Sequence, residues 1–333
     1  MKKTVKSLVD NSAIIVIIQA DNPDGDSLAT SLALEEILSS LDKKPVMYCG
    51  VDMPGYLRYM RGWDRVVHSL PKQFDLSIIV DTGSTLLLEN LQKTGEINWL
   101  KTKPCIVIDH HDTDPTIDFA DVKYIRPAVA TSELVYDICK ENDWPVSLSA
   151  AEFMTYAILS DSLGLISEST SSHSVRIIAE FMDKGVSLAK LDSERKEFQK
   201  KQPELLGYKG DLLKRVGFLL DGQVAFIKIP WKEIEKYSPL YNPSMLVIDE
   251  MRQVENVKLA IALKSYPDGR ITAKLRSNYG YPVCARIAEE FGGGGHPYAS
   301  GFRITDGSDE NTILNKCEEL AKIELKKIED EAL

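Results

Sequence analysis

The first half of the chain alternates short apolar runs with stretches of helical spacing, and that alternation leaves few architectures open. Ala13–Ile18, Pro45–Cys49, Asp75–Val80 and Pro104–Ile108 read as strands. Ser27–Ser40, Leu86–Gln92, Ser132–Asn142 and Leu148–Leu163 read as helices. Strand and helix in alternation imply βαβ units, and so an α/β fold with a mostly parallel, doubly wound sheet. On such a sheet ligands bind just past the carboxyl ends of the strands.

The chain has 333 residues, long for a single core, and its texture changes after about residue 185. Glu194, Arg195, Lys196, Glu197, Lys200 and Lys201 suit a solvated helical connector. Beyond it, Gln223–Ile229, Val257–Lys264 and Ile271–Arg276 read as strands, the last two flanking a turn at Tyr266-Pro267-Asp268-Gly269. A helix over Val283–Phe291 and a terminal amphipathic helix with Leu314, Cys317, Ala321, Leu325 and Ile328 follow. The expectation is a first domain over 1–185, a connector over 186–215 and a smaller α+β domain over 216–333, with a cleft between the domains.

Composition narrows the function. No apolar stretch approaches the length of a membrane span, and Ala13–Ile18 is too short for a convincing signal peptide. Five widely spaced cysteines form neither a zinc pattern nor a disulfide framework, so they are read as reduced, in a cytoplasm. A net charge of −10 argues against coating a long nucleic acid but leaves room for a short anionic substrate.

Carboxylates gather where that sheet would bind ligands. Asp24 and Asp26 follow the first strand, Asp81 ends the strand Asp75–Val80, and Asp109-His110-His111 ends Pro104–Ile108. Asp161 lies near the end of a long apolar helix. Helix capping would account for each aspartate taken alone. Taken together, carboxylates at one sheet edge repel one another unless cations neutralise them. Oxygen ligands with an imidazole suit Mn²⁺ better than Ca²⁺. Two such ions, bridged by Asp81 and a water, would serve an in-line phosphoryl displacement.

The second signal is Phe291-Gly292-Gly293-Gly294-Gly295-His296-Pro297, followed by a strand-like run through Gly301-Phe302-Arg303-Ile304. Consecutive glycines let a backbone approach an anion closely and aim N–H groups at it. Arg276-Ser277 could add a guanidinium to the same phosphate.

These motifs, in this order, resemble the DHH phosphoesterase family, in the branch whose C-terminal domain carries a GGGGH loop. The length and domain pattern are similar to its oligoribonuclease and 3′-phosphoadenosine-5′-phosphate phosphatase group. The resemblance implies that Asp24 and Asp81 bind one Mn²⁺, and that Asp26, Asp81, His110 and Asp161 bind the other, with Mg²⁺ as a substitute. It implies that His111 contacts the scissile phosphate or leaving group while Asp109 orients the histidines. Arg276, Ser277, Gly293, Gly294, Gly295 and His296 would hold the rest of a short oligoribonucleotide or nucleotide. A homodimer is implied as well. The family's usual histidine four residues before the first aspartate is Ala20 here, with Gln19 and Asp21 beside it and His68 unassigned. Alternative activities are a cyclic-dinucleotide phosphodiesterase, or a nucleotide-binding protein with an impaired metal centre.

Overall fold

The computed structural model describes residues 4–111 and 114–331. The chain divides into two compact units, Met1–Gln199 and Lys200–Leu333. The first unit runs α1 (Val5–Asp10), β1 (Ile14–Ile18), α2 (Gly25–Ser40), β2 (Lys44–Tyr48), β3 (Leu76–Val80), α3 (Glu89–Thr94), α4 (Glu96–Leu100), β4 (Cys105–Asp109), β5 (Val122–Ile125), α5 (Thr131–Asn142), α6 (Leu148–Asp161), α7 (Ser172–Asp183) and α8 (Leu188–Phe198).

Its five strands are parallel, in the order β2-β1-β3-β4-β5. Every residue of β3 and β4 is buried, because helices cover both faces. Alternate residues feed separate cores. Ile17, Ile78 and Ile108 pack with Leu28 of α2 and Phe153 of α6, while Ile18, Ile79 and Val107 pack with Leu91 of α3 and Leu100 of α4. Full burial of such a side chain contributes about 1.5–3 kcal/mol. The chain steps from β1 to β2 on one side and returns to β3 on the other. A crevice therefore opens at the carboxyl ends of β1 and β3, the switch point of the sheet.

Some elements escape the sequence pattern. β5 is four residues long and only partly buried, so its apolar signal is weak. The helix expected over Leu86–Gln92 is a 3₁₀ turn, Thr85–Leu88, running into α3. The charged segment 186–215 holds two helices, α8 and α9 (Pro203–Leu213), and the units divide between them. Each is anchored by apolar residues at helical spacing. Leu191 of α8 joins the first unit's core, and Leu205, Tyr208 and Leu212 of α9 join a core in the second.

The second unit continues with β6 (Gly217–Leu219), β7 (Val224–Ile229), α10 (Trp231–Tyr237), α11 (Ile248–Arg252), β8 (Leu259–Ser265), β9 (Ile271–Ser277), α12 (Cys284–Glu289), β10 (Gly294–His296), β11 (Ala299–Ile304) and α13 (Glu310–Glu331). Its sheet runs β10-β11-β9-β8-β7-β6, antiparallel except for β7 with β8. On β9, Ile271, Ala273 and Leu275 enter the core beneath α12 and α13, so Thr272, Lys274 and Arg276 lie on the other face. Among the described residues, no helix is long and apolar enough to cross a membrane.

Much of the glycine run is strand rather than free loop, since β10 pairs with β11 from Gly294 to His296. A Cβ at Gly293 would stand 2.3 Å from the Gly301 carbonyl oxygen, whereas one at Gly294 would meet nothing within 4 Å. Gly293→Ala is therefore expected to cost about 1–3 kcal/mol, the usual penalty of overpacking. Gly294→Ala should stay within about 0.5 kcal/mol of the parent, as surface substitutions do. Urea denaturation of the two variants tests this, and equal midpoints would refute it.

Candidate metal centre

The carboxyl edge of the first sheet gathers the aspartates around one imidazole. His110 follows β4, and its Nδ1 lies 3.0 Å from the Ala128 carbonyl oxygen. An N–H at Nδ1 donates there, leaving Nε2 with the lone pair a metal would use. That Nε2 is buried and has no hydrogen-bond partner among the described residues. Three carboxylate oxygens surround it: Asp81 Oδ1 at 3.4 Å, Asp161 Oδ2 at 3.6 Å and Asp26 Oδ2 at 3.7 Å. A buried lone pair ringed by carboxylates, with no proton donor among the described residues to satisfy it, fits a divalent cation. Ligand atoms of Asp26, His110 and Asp161 lie within 4.8 Å of one another, as do those of Asp81, His110 and His111.

Each carboxylate is set by its element. Asp26 sits in the first turn of α2, fully buried, and accepts from Thr30 Oγ1 one turn on at 2.8 Å. Asp81 follows β3 at a φ of 62°, a left-handed conformation that aspartate tolerates, while its N–H keeps β4 in register by donating to Ile108. Asp161 is the last residue of α6, which packs along α2 so closely that a Cβ on Gly25 would stand 2.1 Å from Ser160 Oγ.

Thr131 ties two of these groups together and has no counterpart in the sequence expectations. Its backbone N–H donates to Asp26 Oδ2 at 2.6 Å and its hydroxyl to Asp81 Oδ1 at 3.0 Å. The preceding residue, Ala130, cannot cap α5, so the carboxylate of Asp26 meets that helix N-terminus from 105 residues away. The only trace in the sequence is a helix that starts without a capping side chain before Thr131.

Asp109 is buried and holds His111. Its Oδ1 accepts from His111 Nδ1 at 2.7 Å, while the imidazole stays 41% exposed. Asp24 is exposed, caps α2 through the Ser27 N–H, and stands outside both ligand groups. Ala20 is buried, with Cys49 Sγ 3.3 Å from its carbonyl oxygen. His68 is engaged elsewhere, with Nδ1 3.0 Å from the Cys49 carbonyl and Nε2 3.2 Å from Asp52. Asp21 accepts from the Asn90 N–H, and Gln19 is wholly buried, its side-chain amide without a partner among the described residues.

In the second unit, register aligns Arg276 of β9 with Ala299 of β11, and Ala299 with His296 of β10, on one face of the sheet. Ser277 is buried on the opposite face, beside Cys284. The glycine segment forms the sheet's edge next to β11.

The aspartates are costly neighbours. Burial, then the charges of Asp26, Asp24 and Asp81, push Asp161 up to about 9. Burial, then Asp26 and Asp24, hold Asp81 well above the usual carboxylate range, and burial raises Asp26. Burial opposes a charge on His110, but Asp26, the Ala128 carbonyl and Asp161 outweigh it and raise its pKa. The hydrogen bond to Asp109 raises His111. Each of these groups binds protons more tightly folded than unfolded, so without metal the fold weakens as pH rises from about 4 through about 9. Chelated protein should therefore melt at progressively lower temperature across that range. Added Mn²⁺ should raise the melting temperature more at about pH 8 than at about pH 5.5, because cation and protons compete. At a hundredfold excess over its dissociation constant the cation would contribute about 2.7 kcal/mol. Differential scanning fluorimetry checks both, and a larger metal shift at low pH would contradict the assignment.

Known proteins share this plan. A DHH family, N-terminal domain model matches residues 14–158, and a DHHA1 domain model matches residues 242–323. A Streptococcus mutans protein named probable bifunctional oligoribonuclease and PAP phosphatase NrnA is 24% identical over 96% of this chain and 99% of its own length. A Thermus thermophilus protein named bifunctional oligoribonuclease and PAP phosphatase NrnA is 26% identical over 91% of this chain and 88% of its own. The crystal structure of an exopolyphosphatase-related protein from Bacteroides fragilis superposes with a TM-score of 0.83 at 22% identity, covering 97% of this chain and 96% of that one, a likeness of fold. With both domains matched in order, the chain carries a DHH N-terminal domain followed by a DHHA1 domain.

Proposed function

We propose that this chain is a divalent-cation-dependent phosphoesterase. It releases mononucleotides from short oligoribonucleotides and dephosphorylates 3′-phosphoadenosine 5′-phosphate. The observation that carries this reading is the buried Nε2 of His110, without a hydrogen-bond partner among the described residues and ringed by Asp26, Asp81 and Asp161 beside a His111–Asp109 pair. The names of the relatives support the substrate class.

In this reading Asp26, Asp81, His110 and Asp161 hold one cation, and Asp24 with Asp81 a second. Manganese is expected, with magnesium as a substitute. A divalent ion there supplies a Lewis acid for the phosphoryl oxygens and acidifies water at neutral pH. Asp81 would serve both ions, and Thr131 fixes its orientation. Asp109 accepts from His111 Nδ1 and raises its pKa, favouring the imidazolium form, whose Nε2 then carries a proton to the leaving oxygen. Asp109 itself is a positioning residue. Arg276, the glycine segment and His296 bind a phosphate that is not cleaved. Five buried cysteines, none in a disulfide, suit a reducing cytoplasm, and a homodimer completes the reading.

A second reading has its own support. Ala20 offers no ligand and Asp24 stands outside both ligand groups, which favours a nucleotide-binding protein with an impaired centre. Ala20→His separates the two. A large gain from a near-inactive parent favours the impaired centre; little change in an active parent favours the enzyme.

Incubating the protein with linear diadenylate, a cyclic dinucleotide and 3′-phosphoadenosine 5′-phosphate, each with Mn²⁺ and with Mg²⁺, should give mononucleotide release from the linear and bisphosphate substrates. Asp81→Ala should abolish that release, and retained turnover in this variant would sink the mechanism. Asp109→Asn should lower kcat by about 10–100-fold with KM little changed, and an effect on KM alone would contradict its positioning role.

A further inference from the structure

Three cations gather on one sheet face of the second unit. Lys274 and Arg276 are two residues apart on β9, on the face opposite the α12 and α13 core, which their β8 neighbours Ala260 and Ala262 cover with a second core. Lys264 of β8 pairs with Thr272, and Lys274 pairs with Ala262, so Lys264 stands diagonally beside Lys274. All three are partly buried. Among the described residues none forms an ion pair with a carboxylate. Lys274 Nζ lies 3.6 Å from the sulfur of Met245, Lys264 Nζ donates to Asn242 Oδ1 at 3.2 Å, and Arg276 donates to the carbonyl of Leu275. Asp249, whose charge reaches Arg276, is paired with Arg252 at 3.0 Å. Burial, then Arg276 and Lys264, push the pKa of Lys274 down, so the folded chain bears the cost of holding like charges together.

Toward the β10 edge of the sheet the ground beside them is bare. Lys274 pairs with Gly301 of β11, and Gly301 pairs with Gly294 of β10, so the row extending from Lys274 carries no side chain. The neighbouring row, Arg276-Ala299-His296, carries only a methyl between its two polar ends. Lys274 and Arg276 are about 6.5–7 Å apart along the strand, a separation comparable with one nucleotide step in an extended single strand.

We propose that Lys274, with Lys264, forms a second anion subsite one nucleotide step from Arg276, so that this unit grips two consecutive phosphates of a linear oligonucleotide. The inference rests on the nucleotide-hydrolase reading for its ligand class, and it makes a linear oligonucleotide a better ligand than a nucleotide with a single uncleaved phosphate.

The test is binding to the full chain in excess chelator, where turnover plays no part. The probes are adenosine 5′-monophosphate and 5′-phosphorylated diadenylate, compared by isothermal titration. The parent should bind the two-phosphate probe at least about tenfold more tightly, the worth of one added charge-assisted contact. Its logarithmic salt dependence should be steeper by about 0.7. Lys274→Met should lose most of that gain, Lys274→Arg should keep it, and Lys264→Met should lose part of it. A lost gain without a fall in melting temperature marks ligand binding rather than a structural role. The proposal is overturned if the second phosphate adds nothing in the parent, or if both methionine variants keep the gain. Failure of hydrolysis with metal, alongside an intact gain, would instead remove the enzyme reading and leave the subsite standing.

Discussion

Three acidic side chains held near one imidazole at the switch point of a parallel sheet form the constraint on which the first unit turns. Mutual repulsion and burial both oppose that gathering. It persists because independent elements deliver the members: β1 leads into α2 and Asp26, β3 into Asp81, β4 into His110, and α6 ends at Asp161. None of these elements can relax away without uncovering a core, since the strands are buried on both faces. Rigid apolar packing thus confines charges that would otherwise separate, and an environment of that kind has a use for a cation.

The α5 helix shows how closely site and fold are joined. A helix without its own capping side chain needs an acceptor for its first N–H groups. Asp26 supplies one from another segment, and Thr131 returns the link by donating its hydroxyl to Asp81. The same two oxygens that face His110 are therefore also held from behind, which fixes their directions before any ligand arrives.

Much of this was legible in the residues. Apolar runs of β-branched residues announced the parallel strands, and their aspartate endings announced the edge where the site lies. Asp26, Asp81, His110 and Asp161 meet in the structure as the motif order suggested. What pattern could not reveal depends on long-range contact. β5 is short and half-exposed, so its run is too weak to read. Thr131 looks like any helix-starting threonine until its partners, 105 and 50 residues earlier in the chain, are brought beside it. Asp24 reads like its neighbour Asp26 in sequence, yet two residues of backbone leave it exposed as a cap while Asp26 is buried. The charged segment 186–215 looked like a solvated connector because its charges outnumber its anchors, although a few apolar positions decide where each helix packs.

The hairpin of β10 and β11 also bears on how a glycine run should be read. Gly293 and Gly295 are required by clearance, since a Cβ on either would strike the backbone of β11. Gly292 has a φ of +69°, so its identity answers to chain direction. Three of the four letters thus record how the chain folds on itself. Only Gly294, with open space before it, is free to carry information about what lies against the sheet. A matching run in another protein is accordingly strong testimony about a hairpin and much thinner testimony about a ligand, unless its third position is the one preserved.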